Sequence, residues 1–224
     1  MKDNVIIIFT RIPVPGKTKT RLQPFITGEE CCLLQRAFIR DIYEVLQEPD
    51  LHCDIVVSYA PEGDIEDLKA LLPGVETYFP QHGQSLGDKM YDATRQMLEK
   101  GYSRCLLIGS DHPLIKVSAI KEAFALLDQC DIVLCPTEDG GYYLIGMKEP
   151  CEEVFRLEAY SDSAVFDKTL AAATESGKAC MRGTCTLDVD EPEDLFRLAE
   201  SLAKENPNVC RETRKALSEV ISDF

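Results

Sequence analysis

The sequence predicts an α/β protein: a single-domain, three-layer sandwich in which helices cover both faces of a mostly parallel central sheet. Three observations lead to this prediction. Strand-like and helix-like segments alternate along the 224 residues, several of the strand-like segments are continuously apolar, and no linker, repeat or low-complexity segment interrupts them. Continuously apolar strands are typical of parallel sheets that are buried on both faces. The length suits one well-buried domain.

The first half of the chain contains three strand–helix units. The strand "NVIIIFT" precedes a helix from Glu29 to Leu46, in which Leu33, Leu34, Ala37 and Phe38 recur at helical spacing. The strand "CDIVVSYA" precedes the short helix "DIEDLKALL". The strand "VETYF" precedes the helix "SLGDKMYDATRQMLEKG", which ends at a glycine stop signal.

The second half continues this alternation. The strand "RCLLIGS" precedes the helix "VSAIKEAFALLD", and "CDIVLCP" and "YYLIGM" are further strands. A helix from about Ser161 to Ser176, the strand "KACMRGTCTL" and two helices after Pro192 and Asn208 complete the order. We expect one domain over residues 1–224, with a core at about 4–200 and a C-terminal helix at 208–221.

Composition excludes several classes of function. A net charge of −15 argues against nucleic acid or an anionic membrane as the main partner, because both would repel the protein. No apolar run is long enough for a membrane span or a signal peptide, so we expect a cytoplasmic protein. The ten cysteines include no C-x-x-C pair, which favours reduced, buried thiols over disulfides or zinc. A homodimer is compatible with these observations.

The loop after the first strand is a basic island in this acidic chain. No acidic residue occurs from Asn4 to Gly28, where four cations lie instead: Arg11, Lys17, Lys19 and Arg21. The "GKT" within it is not a Walker A loop, because Arg11 stands where that motif has glycine and two prolines remove backbone N–H groups. We predict that this loop binds the phosphates of a nucleotide, with the following contacts: Arg11, Pro15, Gly16, Lys17 and Arg21. A solvated basic surface is the alternative.

Acidic residues follow two later strands. "GSDHP" places Ser110 and Asp111 at the edge of the sheet where ligands bind in such folds, and we predict that Ser110 contacts the phosphates of the nucleotide. A carboxylate beside phosphates needs Mg²⁺ or Mn²⁺ between them, although Asp111 could instead cap a turn or helix. After the fifth strand, "EDGG" could project a carboxylate into the same cleft, or could form an ordinary hairpin turn.

Two further segments have both functional and structural interpretations. In "LDVDEPEDL", Asp188 and Asp190 share one face of an extended chain, but the same residues could cap the following helix. In "QHGQSLGDKM", Gln84 and Gly87 could contact a base or ribose, or could belong to a plain capped helix start.

Together, "PVPGKTKTRL", "GQSLGDKM", "GSDHP", "EDGGYYLIG" and "DVDEPEDL" resemble, over about residues 4–200, the glycosyltransferase-like nucleotide-diphospho-sugar transferases of DUF2064 type. These have a Rossmann-like GT-A fold. The chain is more distantly similar to the phospholactate and molybdenum-cofactor guanylyltransferases.

The resemblance implies roles for individual residues. Lys17 and Arg21 would hold nucleotide phosphates, and Asp111 and Asp190 would hold the divalent metal. Asp139 would be the catalytic base. The acceptor side would comprise the residues that follow it: Gly140, Gly141 and Tyr142.

The expected function is that of a metal-dependent glycosyltransferase that uses a nucleotide-diphospho-sugar donor and a small-molecule acceptor. The absence of the pyrophosphorylase loop G-x-G-T-R favours sugar transfer. One alternative is a nucleotidyltransferase that forms an NDP-linked product from an NTP with release of pyrophosphate. Another is a nucleotide-binding protein without catalysis, because a fold alone does not confer activity.

Overall fold

A computed structural model of the chain describes residues 2–160 and 163–221. Within these residues, seven strands form one sheet. In chain order they are β1 (Lys2–Arg11), β2 (Asp54–Ala60), β3 (Thr77–Pro80), β4 (Tyr102–Gly109), β5 (Ile132–Pro136), β6 (Tyr142–Met147) and β7 (Cys180–Arg182). The α-helices are α1 (Gly28–Leu46), α2 (Ile65–Leu71), α3 (Leu86–Glu99), α4 (Val117–Leu127), α5 (Val165–Glu175), α6 (Pro192–Lys204) and α7 (Arg211–Val220).

The strand order in the sheet is β3-β2-β1-β4-β6-β5-β7. β6 pairs antiparallel with both β4 and β5, and all other neighbours pair in parallel. In the register of the central strands, Ile7 lies opposite both Val56 and Leu107. The prediction of a mostly parallel α/β sandwich is therefore confirmed, and the reversal of β6 identifies the residues between it and β5 as a hairpin turn.

The two faces of the sheet bury alternate residues of β1, since successive side chains of a strand point to opposite sides. Ile6 and Ile8 pack with α1, α2 and α4, whereas Val5 and Ile7 pack with α3 and α5. All four side chains are fully buried. Burial of an aliphatic side chain of this size contributes about 1.5–3 kcal/mol, so β1 anchors both core layers.

A third cluster joins the C-terminal helices to α1. Phe38 of α1 packs with Leu195 of α6, with Leu217 of α7, and with Leu187 and Val189 in the extended segment before α6. The Asp41 carboxylate accepts hydrogen bonds from two backbone N–H groups at the start of α7, those of Glu212 (3.1 Å) and Thr213 (2.7 Å). The first set of contacts places Leu187 and Val189 of this segment against α1.

Several predicted elements differ in length from those observed, and the C-terminal helix predicted at 208–221 is observed as Arg211–Val220. The strand prediction for residues 178–187 holds only for Cys180–Arg182, although Thr186 forms one further bridge with Thr137. The predicted helix at 161–176 is observed as Val165–Glu175, and Ser161 and Asp162 lie outside the described residues. None of the helices in the described ranges has the length and apolar character that a membrane crossing requires.

Candidate functional site

The basic loop after β1 forms a tight turn that its sequence explains. The N–H of Lys17 donates to the carbonyl of Val14 at 3.0 Å, and Gly16 has a φ of 79°. Proline at the second position and glycine with positive φ at the third are typical of a type II turn, which matches Val-Pro-Gly-Lys here. Pro15, Gly16 and Lys17 are exposed at its tip, and their contact with nucleotide phosphates stays a prediction.

Lys19 lies inside the site rather than at its surface. Its backbone has a left-handed φ of 45°, and its side chain is only 3% exposed. The Nζ donates to Oδ1 of Asp111 at 2.5 Å and to the carbonyl of Val189 at 2.8 Å, and it lies 4.9 Å from the ring centre of Phe38. Our prediction did not single Lys19 out, because no sequence pattern distinguishes its environment from that of Lys17.

Asp111 follows β4 at the carboxyl edge of the sheet, as predicted. Burial is the largest single influence and opposes its ionisation, but the positive groups around it, above all the charge and the hydrogen bond of Lys19, together outweigh burial, so the pKa of Asp111 lies below its ordinary 3.8. Arg11, exposed at the end of β1, lowers this pKa further. The carboxylate therefore stays charged at neutral pH.

Ser110 is buried, and this differs from the predicted phosphate contact. Its Oγ accepts from Thr10 Oγ1 at 2.8 Å and from Gln35 Nε2 at 2.8 Å. Gln35 also donates to the Ser110 carbonyl at 3.2 Å. These bonds link β1, α1 and the end of β4, so Ser110 supports the backbone that presents Asp111.

Asp188 and Asp190 lie in the extended segment that precedes α6. Burial, followed by the negative charges of Asp111 and Asp190, raises the pKa of Asp188 to about 8. The pKa of Asp190 is raised as well, chiefly by burial and then by Asp111. Arg21 reaches Asp190 with its Nη1 at 3.1 Å from Oδ2. The structure thus brings the carboxyl groups of Asp188 and Asp190 close to that of Asp111.

His112 borders this cluster but does not add charge to it. The ring is buried against Tyr143, and its Nδ1 lies 3.4 Å from Oδ1 of Asp188. Burial lowers the pKa of His112 to about 4, so the imidazole is neutral at physiological pH.

The residues "EDGG" form the hairpin turn between β5 and β6, and the carboxylate of Asp139 within them also lines a cavity at the site. The Gly141 N–H donates to Asp139 Oδ1 at 3.2 Å, and Gly140 has a φ of 93°. A Cβ at Gly140 would lie 1.8 Å from the carbonyl oxygen of Ser163, so this close approach requires glycine. The hydroxyl of Tyr142 is buried inside the second core layer rather than facing the site, which differs from the acceptor-side prediction.

Gln84 and Gly87 mark the start of α3. Ser85 and Asp88 form a capping box there, and Asp88 also accepts from the N–H of Gln84 at 3.0 Å. A Cβ on the buried Gly87 would lie 1.9 Å from the carbonyl oxygen of Phe155. The glycine therefore permits close packing, and a nucleotide contact by Gln84 or Gly87 stays a prediction.

A cavity of about 230 Å³ opens beside the acidic cluster. It is lined by Arg21, Glu138, Asp139, Leu187, Asp188, Asp190, Glu191, Asp194 and Arg197. Arg197, which sequence reasoning missed, pairs with Glu138 and with Asp194. A larger cavity of about 490 Å³ lies at the opposite edge of the sheet, near His52 and Thr77, away from these residues.

The comparisons with known proteins agree with this architecture. The family described as "Uncharacterized protein conserved in bacteria (DUF2064)" matches residues 44–162. The 2-phospho-L-lactate guanylyltransferase of Methanocaldococcus jannaschii is 27% identical over 201 residues, which are 87% of this chain and 81% of that protein. The enzyme of the same name from Methanocaldococcus infernus is 29% identical over 154 residues, 68% of this chain and 66% of that protein.

A solved structure from Desulfovibrio desulfuricans G20 extends the similarity to nearly the whole chain. That protein, proposed to be a nucleotide-diphospho-sugar transferase, is 29% identical and has a TM-score of 0.86. The match covers 98% of each chain. The fold, including the segments that carry Lys19, Asp111 and Asp190, is thus one that nucleotide-diphospho-sugar transferase-like proteins have.

Proposed function

This chain belongs to the DUF2064 family, and from that premise we propose that it is a metal-dependent nucleotidyltransferase. It would transfer a nucleoside monophosphate group from an NTP to a small acceptor and release pyrophosphate. The observation that carries the proposal is the convergence of Asp111, Asp188 and Asp190 with Lys19 and Arg21 at the carboxyl edge of the sheet. Similarity to two guanylyltransferases favours nucleotidyl transfer over sugar transfer.

The donor set fits a divalent cation that is shared with a nucleotide. Asp111 and Asp190 would hold Mg²⁺ or Mn²⁺, since carboxylate oxygens are the ligands these ions prefer. Burial, and after it the neighbouring carboxylates, raise the pKa values of Asp188 and Asp190, and a divalent cation would offset the repulsion among these groups. Among the described residues, no group of three or more acidic, histidine or cysteine side chains is arranged to hold a metal ion by itself. Mg²⁺ is commonly bound by one or two carboxylates together with substrate phosphates.

The metal would supply charge neutralisation at the phosphates, and the remaining chemistry falls to side chains of this chain. Lys17 and Arg21 would bind the phosphate oxygens, Arg21 through paired N–H groups and Lys17 as a point charge. Asp139 lines the same cavity as Arg21 and is the candidate base that takes a proton from the acceptor.

Pyrophosphate release tests this proposal. The protein is incubated with each of the four NTPs, Mg²⁺ or Mn²⁺, and a mixture of small hydroxyl- and phosphate-bearing acceptors, and pyrophosphate is measured enzymatically. We expect release with at least one NTP and a loss of at least about 100-fold in Asp111→Asn, as for removal of a metal ligand. Equal release by wild type and variant would show that the pyrophosphate comes from a contaminant.

Sugar transfer is the second candidate, and the structural match to the Desulfovibrio desulfuricans protein favours it. The same acceptors are then supplied with a panel of NDP-sugars in place of NTPs. Release of an NDP without pyrophosphate would support the glycosyltransferase. Nucleotide binding without turnover of either donor class would support a non-catalytic nucleotide-binding protein.

A further inference from the structure

Lys19 brings a buried ammonium group into a site that consists mainly of carboxylates. Its side chain is 3% exposed and is covered by Phe38, whose ring centre lies 4.9 Å from Nζ. A lysine that only needed to reach the phosphates of a bound nucleotide could remain at the surface, as Lys17 does. The burial of Lys19 therefore indicates a role inside the protein itself.

The contacts of Lys19 connect two segments that are distant in the sequence. Nζ lies 2.5 Å from Oδ1 of Asp111 and 2.8 Å from the carbonyl oxygen of Val189. The Val189 N–H also donates to the Asp111 carbonyl at 3.3 Å. Since Val189 stands between Asp188 and Asp190, these three bonds set the separation between Asp111 and the other two carboxylates.

The ammonium also acts electrostatically on all three carboxylates. It attracts Asp111 directly, and it partly offsets the repulsion that neighbouring carboxylates exert on Asp188 and Asp190. A divalent cation would be drawn to the same oxygens. Two cations that share one partly buried carboxylate repel each other strongly, because the interior screens charge far less than water does.

We propose that the ammonium of Lys19, which lies against Asp111 and the 188–190 segment, weakens binding of a free divalent cation there. The cation then binds well only together with the polyphosphate of a nucleotide, whose negative charge offsets the repulsion between the ion and the ammonium. This inference rests on the proposed function, because it assigns Asp111 and Asp190 to the metal.

Mn²⁺ binding without nucleotide tests the inference. The affinity of the full chain for Mn²⁺ is measured by electron paramagnetic resonance of the free ion and by titration calorimetry. Lys19→Met and Lys19→Gln remove the charge, and the amide of Gln keeps a hydrogen-bond donor. We expect both variants to bind Mn²⁺ at least about tenfold more tightly than wild type, a difference that one unit charge at this range can supply. Lys19→Arg keeps the charge and should bind as weakly as wild type.

The matched control is Lys178→Met. It removes the same unit charge from another lysine–carboxylate pair, in which Nζ lies 2.9 Å from Glu149 at the opposite edge of the sheet. Its Mn²⁺ affinity should equal that of wild type. A variant that merely loosened the site would bind Mn²⁺ less tightly, so the direction of the change separates the proposed role from loss of structure. Circular dichroism shows which of the two neutral variants is folded, and either suffices.

Unchanged or weaker Mn²⁺ binding in the folded neutral variants would overturn the inference. A separate thermal-shift measurement of wild type with NTP and Mn²⁺ decides the proposed function. Stabilisation by nucleotide combined with an unchanged Mn²⁺ affinity in Lys19→Met would leave the function standing without the role of Lys19. Tighter Mn²⁺ binding in Lys19→Met without any response to nucleotide would support the role of Lys19 and contradict the proposed function.

Discussion

Replacing Asp188 with asparagine removes a carboxyl whose pKa is raised from 3.8 to about 8, mainly by burial and by the charge of Asp111. Asparagine has the same shape, and its Oδ1 can still accept the hydrogen bond that the Val189 N–H makes to Asp188 at 2.8 Å. The substitution therefore changes the charge with little change in packing.

The sign of the effect on stability depends on whether the folded or the unfolded state binds the Asp188 proton more tightly. Because the folded pKa of Asp188 lies above its unfolded value, the folded state holds this proton more tightly, and its contribution to stability is fully present below about pH 4. That contribution is lost as the pH rises to about 8. A shift from 3.8 to about 8 corresponds to on the order of 5 kcal/mol.

Urea unfolding at pH 5 and pH 8 in the presence of EDTA measures this contribution. We expect Asp188→Asn to exceed wild type in free energy of unfolding by several kcal/mol at pH 8, and by only about 1–2 kcal/mol at pH 5. Asp3→Asn, which removes an exposed carboxyl of β1, is the matched control and should change stability by no more than about 0.5 kcal/mol. An Asp188→Asn variant that is less stable than wild type at pH 8, or equally shifted at both pH values, would refute the reasoning.

Three further substitutions test other parts of the structure. Gly140→Ala should lower the free energy of unfolding by on the order of 2–4 kcal/mol, because the new Cβ would lie 1.8 Å from a carbonyl oxygen. Its control is Gly101→Ala, which has the same φ of 93° but lies in open space and should lower the free energy of unfolding by only about 1–2 kcal/mol. Asp41→Ala should cost about 1–3 kcal/mol by the same urea assay, since two N–H groups at the start of α7 lose their acceptor. Arg21→Ala should change the free energy of unfolding by less than about 1 kcal/mol, because both side chains of its pair with Asp190 are about half exposed. The same variant should weaken nucleotide binding at least about tenfold in calorimetry. Unchanged nucleotide affinity would indicate that the loop is an ordinary basic surface.

Much of the fold could be predicted because its central strands are apolar without interruption. The run from Val5 to Ile8 is fully buried on both sides, and such a run is compatible with few arrangements other than an interior parallel strand. The reversal of β6 was harder to foresee, because "EDGG" is compatible both with a tight hairpin and with a loop that presents a carboxylate. In the structure it is a hairpin turn at Gly140, and Asp139 lines the cavity.

The candidate site was predictable to the extent that strand ends determine it. Asp111 and Asp190 come together with Arg21 because the carboxyl ends of the strands share one edge. Lys19 and Lys17 have the same chemistry two positions apart, yet the side chain of Lys19, which has a left-handed φ of 45°, is buried against Asp111 and Lys17 is exposed. Ser110 follows its strand as Asp111 does, yet Gln35 reaches over from α1 and buries it. Such contacts depend on how distant elements pack, which local sequence patterns do not record.

Metal-dependent nucleotide binding at Asp111 is the central claim, and thermal shift of wild type and Asp111→Asn with a panel of NTPs and NDP-sugars tests it most directly. We expect at least one NTP to raise the Tm of wild type in the presence of Mg²⁺ or Mn²⁺, and to lose this effect in EDTA and in the variant. An unchanged Tm for every nucleotide, with and without metal, would contradict the account.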